Sequence, residues 1–342
     1  MIFRMKRALF AVLVALPLPI HAQNLDGIIP PGANLERIVV DMTFTGTDAP
    51  CWDNSVLLFA DNDTESPEKS TTYRMASDGT VTVIRKNNGV TTAIKPSGKG
   101  TYYCCEFEGR RIVEMDRNGT ILRTIADGYE GRDFDGPNDL VVDAKGGIYF
   151  SDGRFVPEVE VTVNTSAVYH LKSDGSLMKV AENLLYPSGV AISPDGSTLY
   201  VLTAHDQSAG KYVYAFDINT DDTLSNPRQF CELWLTVQNE ALALGNENAN
   251  FCICEMKDYT ATSGAEGCAV DVSGNLYIAT DQGIGIQIFS PAGEYLGNIN
   301  LTVPITNCFF GGMDMQTLYV TARGGLYSIH TGIPGMRFAR KN

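Results

Sequence analysis

Six polar residues recur along the chain, each at the start of a similar hydrophobic segment. Two of them, Asp48 and Glu266, are acids, and the others carry hydroxyl or amide oxygens. Two carboxylates brought close together disfavour joint ionisation unless a cation lies between them. Oxygen donors without histidine or cysteine suit a hard cation such as Ca²⁺ better than a soft metal. These six opening residues are Asp48, Thr92, Asn138, Ser188, Glu266 and Asn307, at intervals of 44, 46, 50, 78 and 41 residues.

Each opening residue begins a unit with the pattern of a β-hairpin followed by further strands. The unit GPNDLVVDAKGGIYFSD, from Gly136, alternates hydrophobic residues on both sides of a Gly-Gly turn. A second turn follows in several copies, as at Asp78-Gly79 and Asn118-Gly119. Four strands per unit and a repeat of roughly 40–50 residues are typical of propeller blades. The sequence therefore predicts an all-β fold, a six-bladed β-propeller.

In such a fold the opening residues converge around one end of the central axis, where we predict an axial divalent-cation site. The segment from Leu35 to Asp41 is predicted to be the outer strand of the last blade, which would close the ring. The alternative is that the opening residues only begin strands and cap turns. The shared phase of all six positions favours the common site.

The N-terminus has the pattern of a secretory signal peptide over residues 1–22. Arg4, Lys6 and Arg7 precede an apolar run over residues 8–20, and Ala22 is a small residue at the expected cleavage point. We therefore expect a secreted protein, periplasmic in a Gram-negative source. Residues 23–342 are predicted to form a single propeller domain.

The net charge is strongly negative. Residues 1–22 hold three basic and no acidic residues, so their removal takes the charge from −14 to −17. Such a polyanion disfavours nucleic acid and anionic membrane surfaces as partners. It is compatible with a cation site and a neutral small-molecule substrate. We expect a monomer or a weak homo-oligomer.

Some of the cysteines are predicted to form disulfides and others to be buried thiols. Export permits disulfides, although the sequence does not give their connectivity. Cys231 with Cys252 or Cys254 is the favoured pair, whereas Cys51, Cys268 and Cys308 are expected in inner strands as small hydrophobic residues. The eight cysteines are Cys51, Cys104, Cys105, Cys231, Cys252, Cys254, Cys268 and Cys308.

The longest interval, between Ser188 and Glu266, contains a predicted insertion at about residues 231–264. Because it precedes an opening residue, it should lie over one face of the propeller, where long loops often determine specificity. The alternative is a surface elaboration without a ligand role. The residues that would line a pocket are Trp234, Leu235, Met256 and Tyr259.

With its units aligned, the chain resembles the SMP-30/gluconolactonase/LRE family of bacterial gluconolactonase-like lactonases. The resemblance covers about residues 29–335. It is carried by segments such as IPPGANLERIV, CEFEGRRIVEMDRNGTI, GYEGRDFDGPNDLVVDAKGGIYFSD and GGMDMQTLYVTARGGLYSIHTGIPG. It implies a six-bladed propeller with one axial divalent cation, and hydrolysis of a sugar lactone or a similar small cyclic ester.

Residue by residue, the resemblance implies a cation held by Asp48, Asn138, Ser188 and Glu266. The family's Pro-Asn-Asp is kept around Asn138. Asp48 stands where the family usually has Glu, Glu266 where it has Asp, and Ser188 where it has Asn. The exchange of the two acids keeps the ligand charge at −2. Ca²⁺ is the expected ion, with Zn²⁺, Mn²⁺ and Mg²⁺ as alternatives.

The resemblance also implies catalytic roles for Glu266 and Asp48. Glu266 occupies the family position that serves as ligand and base, and would take a proton from the attacking water. Arg132, six residues before Asn138, could reach a substrate oxygen, although it could equally be a solvated loop residue. The predicted substrate-binding residues are Arg132, Thr92, Asn138 and Asn307. Departures from the family pattern include Thr92 in place of Asn and Phe107 in place of His.

Other functions stay open on the same fold. They include hydrolysis of another ester or an organophosphate, a reaction in secondary metabolism, and non-catalytic ligand binding. Ser188 in place of the family's Asn favours non-catalytic binding, whereas the paired exchange of acids at Asp48 and Glu266 opposes it. No Gly-x-Ser-x-Gly motif is present to supply a serine nucleophile, and His205 is the one weak alternative base.

Overall fold

Six four-stranded antiparallel sheets form the blades of a β-propeller, as the sequence predicts. The computed structural model describes residues 25–153, 166–203, 212–233, 264–280, 285–301 and 303–337. The first strand of each blade is the innermost, and it contacts the first strands of both neighbouring blades. The six inner strands therefore surround one axis.

The strands are short, and the chain runs outward through each blade before it returns to the axis. A small hairpin separates the second and third blades, and a 3₁₀ turn spans Pro67–Lys69. The strands are β1 Glu36–Arg37; β2 Thr47–Asp53, β3 Val56–Asp61, β4 Thr71–Ala76 and β5 Val81–Lys86 (blade I); β6 Thr91–Pro96, β7 Tyr102–Glu106, β8 Arg111–Met115 and β9 Ile121–Ala126 (blade II); β10 Gly128–Tyr129 and β11 Arg132–Asp133; β12 Pro137–Val142, β13 Ile148–Asp152, β14 Ala167–Leu171 and β15 Leu177–Glu182 (blade III); β16 Pro187–Ile192, β17 Thr198–Thr203, β18 Tyr212–Ile218 and β19 Leu224–Glu232 (blade IV); β20 Ala265–Val270, β21 Leu276–Thr280, β22 Gly285–Phe289 and β23 Tyr295–Ile299 (blade V); β24 Ile305–Gly311, β25 Thr317–Ala322 and β26 Gly325–His330 (blade VI).

The two ends of the described chain close the ring in blade VI. Strand β1 pairs antiparallel with β26, with Glu36 opposite Ser328, so the predicted closing strand is confirmed, although it is only two residues long. At the junction with blade I, the Thr47 hydroxyl lies 2.8 Å from the carbonyl oxygen of Ala322 and donates to it. The Ala322 N–H in turn donates to the same hydroxyl, at 3.0 Å.

The core lies between adjacent blades, because both faces of the inner two strands are covered. All residues of β13 and β21 are buried, so these strands lack the regular apolar–polar alternation of a strand with one exposed face. In one such cluster, Tyr103 of blade II is buried together with Leu140 and Phe150 of blade III. Packing of this kind replaces a single central core.

The six cysteines among the described residues are buried and free, and Cys231 is one of them. Cys51, Cys268 and Cys308 lie in β2, β20 and β24, so their predicted place in inner strands is confirmed. Cys252 and Cys254, the predicted partners of Cys231, lie outside the described residues. So do His205 and the four residues predicted to line a pocket in the insertion.

Residues 1–22, the predicted signal peptide, also lie outside the described part, as does nearly all of the predicted insertion at about residues 231–264. Within the described ranges, no helix combines the length and the apolar character that crossing a membrane requires.

Candidate axial site

The opening residues lie at one end of the ring, which we call the opening end. Each inner strand has a register irregularity beside its first residues, and such bulges reorient side chains. In blade VI, Thr306 takes the second position of the strand and Asn307 the third. The other five, Asp48, Thr92, Asn138, Ser188 and Glu266, are each the second residue of their inner strand.

Asn307 joins the segments that carry the two acids. Its side-chain carbonyl accepts the N–H of Cys308 at 2.9 Å, and its amide group is hydrogen-bonded to the carboxylate of Asp48. The same side chain packs on Gly267, where an added Cβ would lie 2.1 Å from the Asn307 Cγ. Asp48 and the residue after Glu266 thus both contact one buried amide. The structure brings Asp48 and Glu266 to the same rim.

The surroundings of Asp48 leave its negative charge poorly compensated. The pKa of Asp48 is raised to about 7, chiefly by burial and also by nearby Asp139. The Ala49 N–H at 2.7 Å, the Lys95 ammonium and the Asn307 amide act in the opposite direction without restoring the ordinary value. A carboxylate in this state is stabilised in its ionised form by a bound cation.

Asn138 is partly buried at the start of blade III, next to two side chains from blade II. The Thr92 hydroxyl donates to the carbonyl oxygen of Pro137 at 3.3 Å, which ties the two inner strands together. The partly exposed ring of Phe107 packs against Gly136, where an added Cβ would lie 2.8 Å from the ring. This rim is therefore apolar beside Asn138.

Ser188 is buried, with 2% of its surface exposed, and its hydroxyl donates to the carbonyl oxygen of Ala265 at 2.9 Å. It therefore links blades IV and V. The hydroxyl oxygen of Ser188 still has lone pairs for another partner, but the serine side chain is too short to extend far toward the axis.

Arg132 lies on the small β10–β11 hairpin, opposite Tyr129, and is exposed. No described residue pairs with its guanidinium group. The structure therefore leaves Arg132 available to a ligand but does not bring it into the ring of opening residues. The predicted substrate-binding roles of Arg132, Thr92, Asn138 and Asn307 stay predictions.

Sequence reasoning missed a buried ion pair on the axis. Lys95 Nζ lies 3.4 Å from Asp139 Oδ1, with the two side chains 4% and 1% exposed, and 5.1 Å from the centroid of the Phe309 ring. Burial lowers the pKa of Lys95, but Asp139 outweighs that effect and raises it overall. The only sequence signal was a lysine within an apolar inner strand.

Burial also raises the pKa of Asp139, an effect that by itself favours the protonated acid. Its two oxygens nevertheless accept three N–H donors, from Leu140 at 2.8 Å, Val190 at 3.2 Å and Lys95. Three donors on one carboxyl group are the arrangement of a carboxylate. We therefore describe the pair as ionised at neutral pH.

A second missed acid is Asp152, which is 2% exposed at the end of β13, opposite Pro137. Its carboxylate accepts the N–H groups of Gly136 and Asp135 at 2.8 and 3.1 Å. Burial raises the pKa of Asp152 to about 7 despite these bonds. Asp152 therefore braces the loop that leads into Asn138.

A cavity of about 1420 Å³ opens at the other end of the axis. None of the six opening residues lines it, whereas Lys95 does. The Lys95–Asp139 pair therefore separates this cavity from the opening end. Its inner wall includes Trp52, Lys95, Val190, Cys268 and Phe309.

The donors at the opening end fit a hard divalent cation. Among the described residues no group of three His, Cys, Asp or Glu side chains is placed to hold a metal. The two acids Asp48 and Glu266 are instead accompanied by the Asn138 amide and the Ser188 hydroxyl. Oxygen donors of this kind, with a buried acid whose pKa is raised, are compatible with a hard cation such as Ca²⁺.

These observations define a class of protein, six-bladed propellers with a ring of oxygen donors at one end of the axis. The family model for the SMP-30/gluconolactonase/LRE-like region matches residues 47–324, and the chain belongs to this family. A gluconolactonase from Zymomonas mobilis subsp. mobilis is 27% identical over 334 residues, which cover 90% of this chain and 84% of that protein.

Solved structures share the fold. A gluconolactonase from Xanthomonas campestris superimposes with a TM-score of 0.71 at 24% identity, covering 91% of this chain and 93% of that one. Regucalcin from Agrobacterium tumefaciens, described as a calcium-binding protein, has a TM-score of 0.63 at 16% identity, covering 88% and 95%. At these identities the likeness concerns the fold alone.

Proposed function

We propose that this protein is a divalent-cation-dependent hydrolase that opens a sugar lactone or a similar small cyclic ester at the opening end of the propeller. The observation that carries the proposal is the contact of Asn307 with both Asp48 and Gly267, which sets two acids from distant blades on one rim. Membership of the family and a relative named gluconolactonase support the choice of substrate class.

Asp48, Asn138 and Glu266 would hold the cation, with Ser188 beside them. Ca²⁺ is the first candidate because all these donors are oxygens, and Zn²⁺, Mn²⁺ and Mg²⁺ are the alternatives. When bound, such a cation polarises the lactone carbonyl as a Lewis acid. A ligand charge of −2 from Asp48 and Glu266 matches a divalent ion.

The chain's own residues would supply the proton transfer and the substrate contacts. Glu266 accepts the proton of the attacking water as general base. Arg132, exposed and unpaired among the described residues, binds a hydroxyl or carboxyl oxygen of the substrate. The Phe107 ring offers an apolar wall beside Asn138.

The test is proton release from glucono-δ-lactone and other aldonolactones, with EDTA and then with each divalent ion. We expect turnover that EDTA removes and one ion restores. Glu266→Gln should lower kcat by about 100-fold or more, the range of a lost general base. Glu294→Gln, which changes an exposed acid in the same blade, is the control. Cation-independent turnover, or equal rates in the two variants, would contradict the proposal.

A non-catalytic ligand-binding propeller is the second candidate, because the Ser188 hydroxyl is committed to the Ala265 carbonyl and is buried. That function predicts cation binding without turnover of any lactone in the panel. We also propose export after cleavage near residue 22, which N-terminal sequencing of the mature protein from its native source would test.

A further inference from the structure

We infer that Asp139, held by Lys95, is a positioning residue for the axial site, because it sets the spacing between the inner strands of blades III and IV, and so between Asn138 and Ser188. This inference rests on the proposed cation site. It concerns residues that do not themselves face the ion.

Strands β12 and β16 belong to different sheets, so no ladder of backbone hydrogen bonds fixes their distance. The Asp139 carboxylate supplies the missing connection. Its Oδ1 accepts the N–H of Leu140 on its own strand, and its Oδ2 accepts the N–H of Val190 on β16, at 3.2 Å. The bridge lies one residue beyond Asn138 and two beyond Ser188.

Ser151 makes a second bridge at the same level. Its hydroxyl accepts the N–H of Asp139 at 3.1 Å and is hydrogen-bonded to the carbonyl oxygen of Ser188. Ser151 is completely buried, so water does not compete for these bonds. Two side chains thus connect the backbones that carry Asn138 and Ser188.

Lys95 holds the Asp139 carboxylate in place from a third blade. It extends from β6 in blade II, and its ammonium group is 3.4 Å from Asp139 Oδ1. Because both side chains are almost fully buried, removal of either partner leaves an uncompensated charge on the axis. The pair is neutral as a unit, so the charge offered to a cation remains that of Asp48 and Glu266.

The test compares Ca²⁺ affinity with thermal stability in the full mature chain, by calorimetric titration and by melting. Asp139→Asn should weaken Ca²⁺ binding about 10- to 100-fold, the usual effect of losing a residue that orients metal ligands. Ser151→Ala, which leaves the ion pair intact but removes both hydrogen bonds of the Ser151 hydroxyl, should weaken it about fivefold or more, because one lost hydrogen bond has an effect of that size. Ser151→Ala also keeps the inference testable if Asp139→Asn does not fold.

The matched control is Lys145→Met. Lys145 pairs with Asp222 and so also joins blades III and IV, but at the far end of the axis, where both residues line the opposite cavity. Its loss should lower the melting temperature and change the Ca²⁺ dissociation constant less than twofold. If the role of Asp139 were purely structural, Asp139→Asn would behave like Lys145→Met and lower the melting temperature with little change in Ca²⁺ affinity.

The outcomes separate this inference from the proposed function. Unchanged Ca²⁺ affinity in Asp139→Asn or Ser151→Ala, with tight binding in the wild type, would overturn the positioning role and leave the cation site standing. A wild-type chain that binds none of Ca²⁺, Mg²⁺, Mn²⁺ or Zn²⁺ would overturn both.

Discussion

Asp48 and Asp152 are both acids at the opening end, but their hydrogen-bond partners indicate different roles. Asp152 accepts two backbone N–H groups from the loop before Asn138, and both of its oxygens are used. Asp48 receives one backbone N–H from its own strand and the Asn307 amide. Asp152 therefore stabilises the loop before Asn138, whereas Asp48 is the acid whose negative charge a bound cation would compensate.

In EDTA, the stability of the protein should depend on pH through these two acids. Burial raises the pKa of both to about 7, above the value of about 3.9 in the unfolded chain. The folded state then binds protons that the unfolded state releases, so their contribution falls as pH rises from about 4 to about 7. Asp152→Asn should remove about half of this fall, measured as urea midpoints between pH 4.5 and 7.5.

Asp78→Asn provides a control. The backbone N–H of Thr80 lowers the pKa of Asp78, which lies in an exposed turn, so the contribution of Asp78 is already complete above about pH 4. Its removal should leave the fall between pH 4.5 and 7.5 unchanged. A profile for Asp152→Asn that parallels the wild type would show that burial does not perturb Asp152.

At the scale of the strand, the hairpin units were predictable because their signals are local. Alternation across a Gly-bearing turn and the phase of the opening residues define the blades without any long-range information. The bulges at the inner strands were not visible, and they shift register by one residue. Asn307, chosen from the sequence, lies one position beyond the second strand position and is buried, 3% exposed, beside Asp48.

The close approach of β20 and β24 gives a prediction for Gly267. A Cβ there would lie 2.1 Å from the Asn307 Cγ, so Gly267→Ala must displace the amide that supports Asp48. We expect Ca²⁺ affinity to fall about tenfold or more, as for other residues that orient ligands.

Gly335→Ala is the control, because its Cβ would lie 2.0 Å from the Phe310 Cγ, an equally severe clash at the opposite end of the axis. It should lower the melting temperature and leave the Ca²⁺ dissociation constant unchanged. Equal effects of both variants on affinity would mean that general destabilisation, and not the Asn307 contact, controls the site.

At the scale of the whole molecule, the sequence predicts the ring and its closure but not what fills the axis. Closure follows from the order of repeats, since an outer strand precedes the first complete blade. Lys95 and Asp139 come from blades II and III, 44 residues apart, and only the folded ring shows that they meet. The predicted ligands Asp48, Asn138, Ser188 and Glu266 lie at one end of that ring, but their role at a cation stays a prediction.

The most direct test of the cation site is a crystal of the mature protein soaked in Mn²⁺, with anomalous scattering measured to locate the ion. The account predicts one bound ion on the axis at the opening end, about 2.0–2.6 Å from carboxylate oxygens of both Asp48 and Glu266. An axis with no bound ion at this end, or an ion that contacts neither acid, would contradict it.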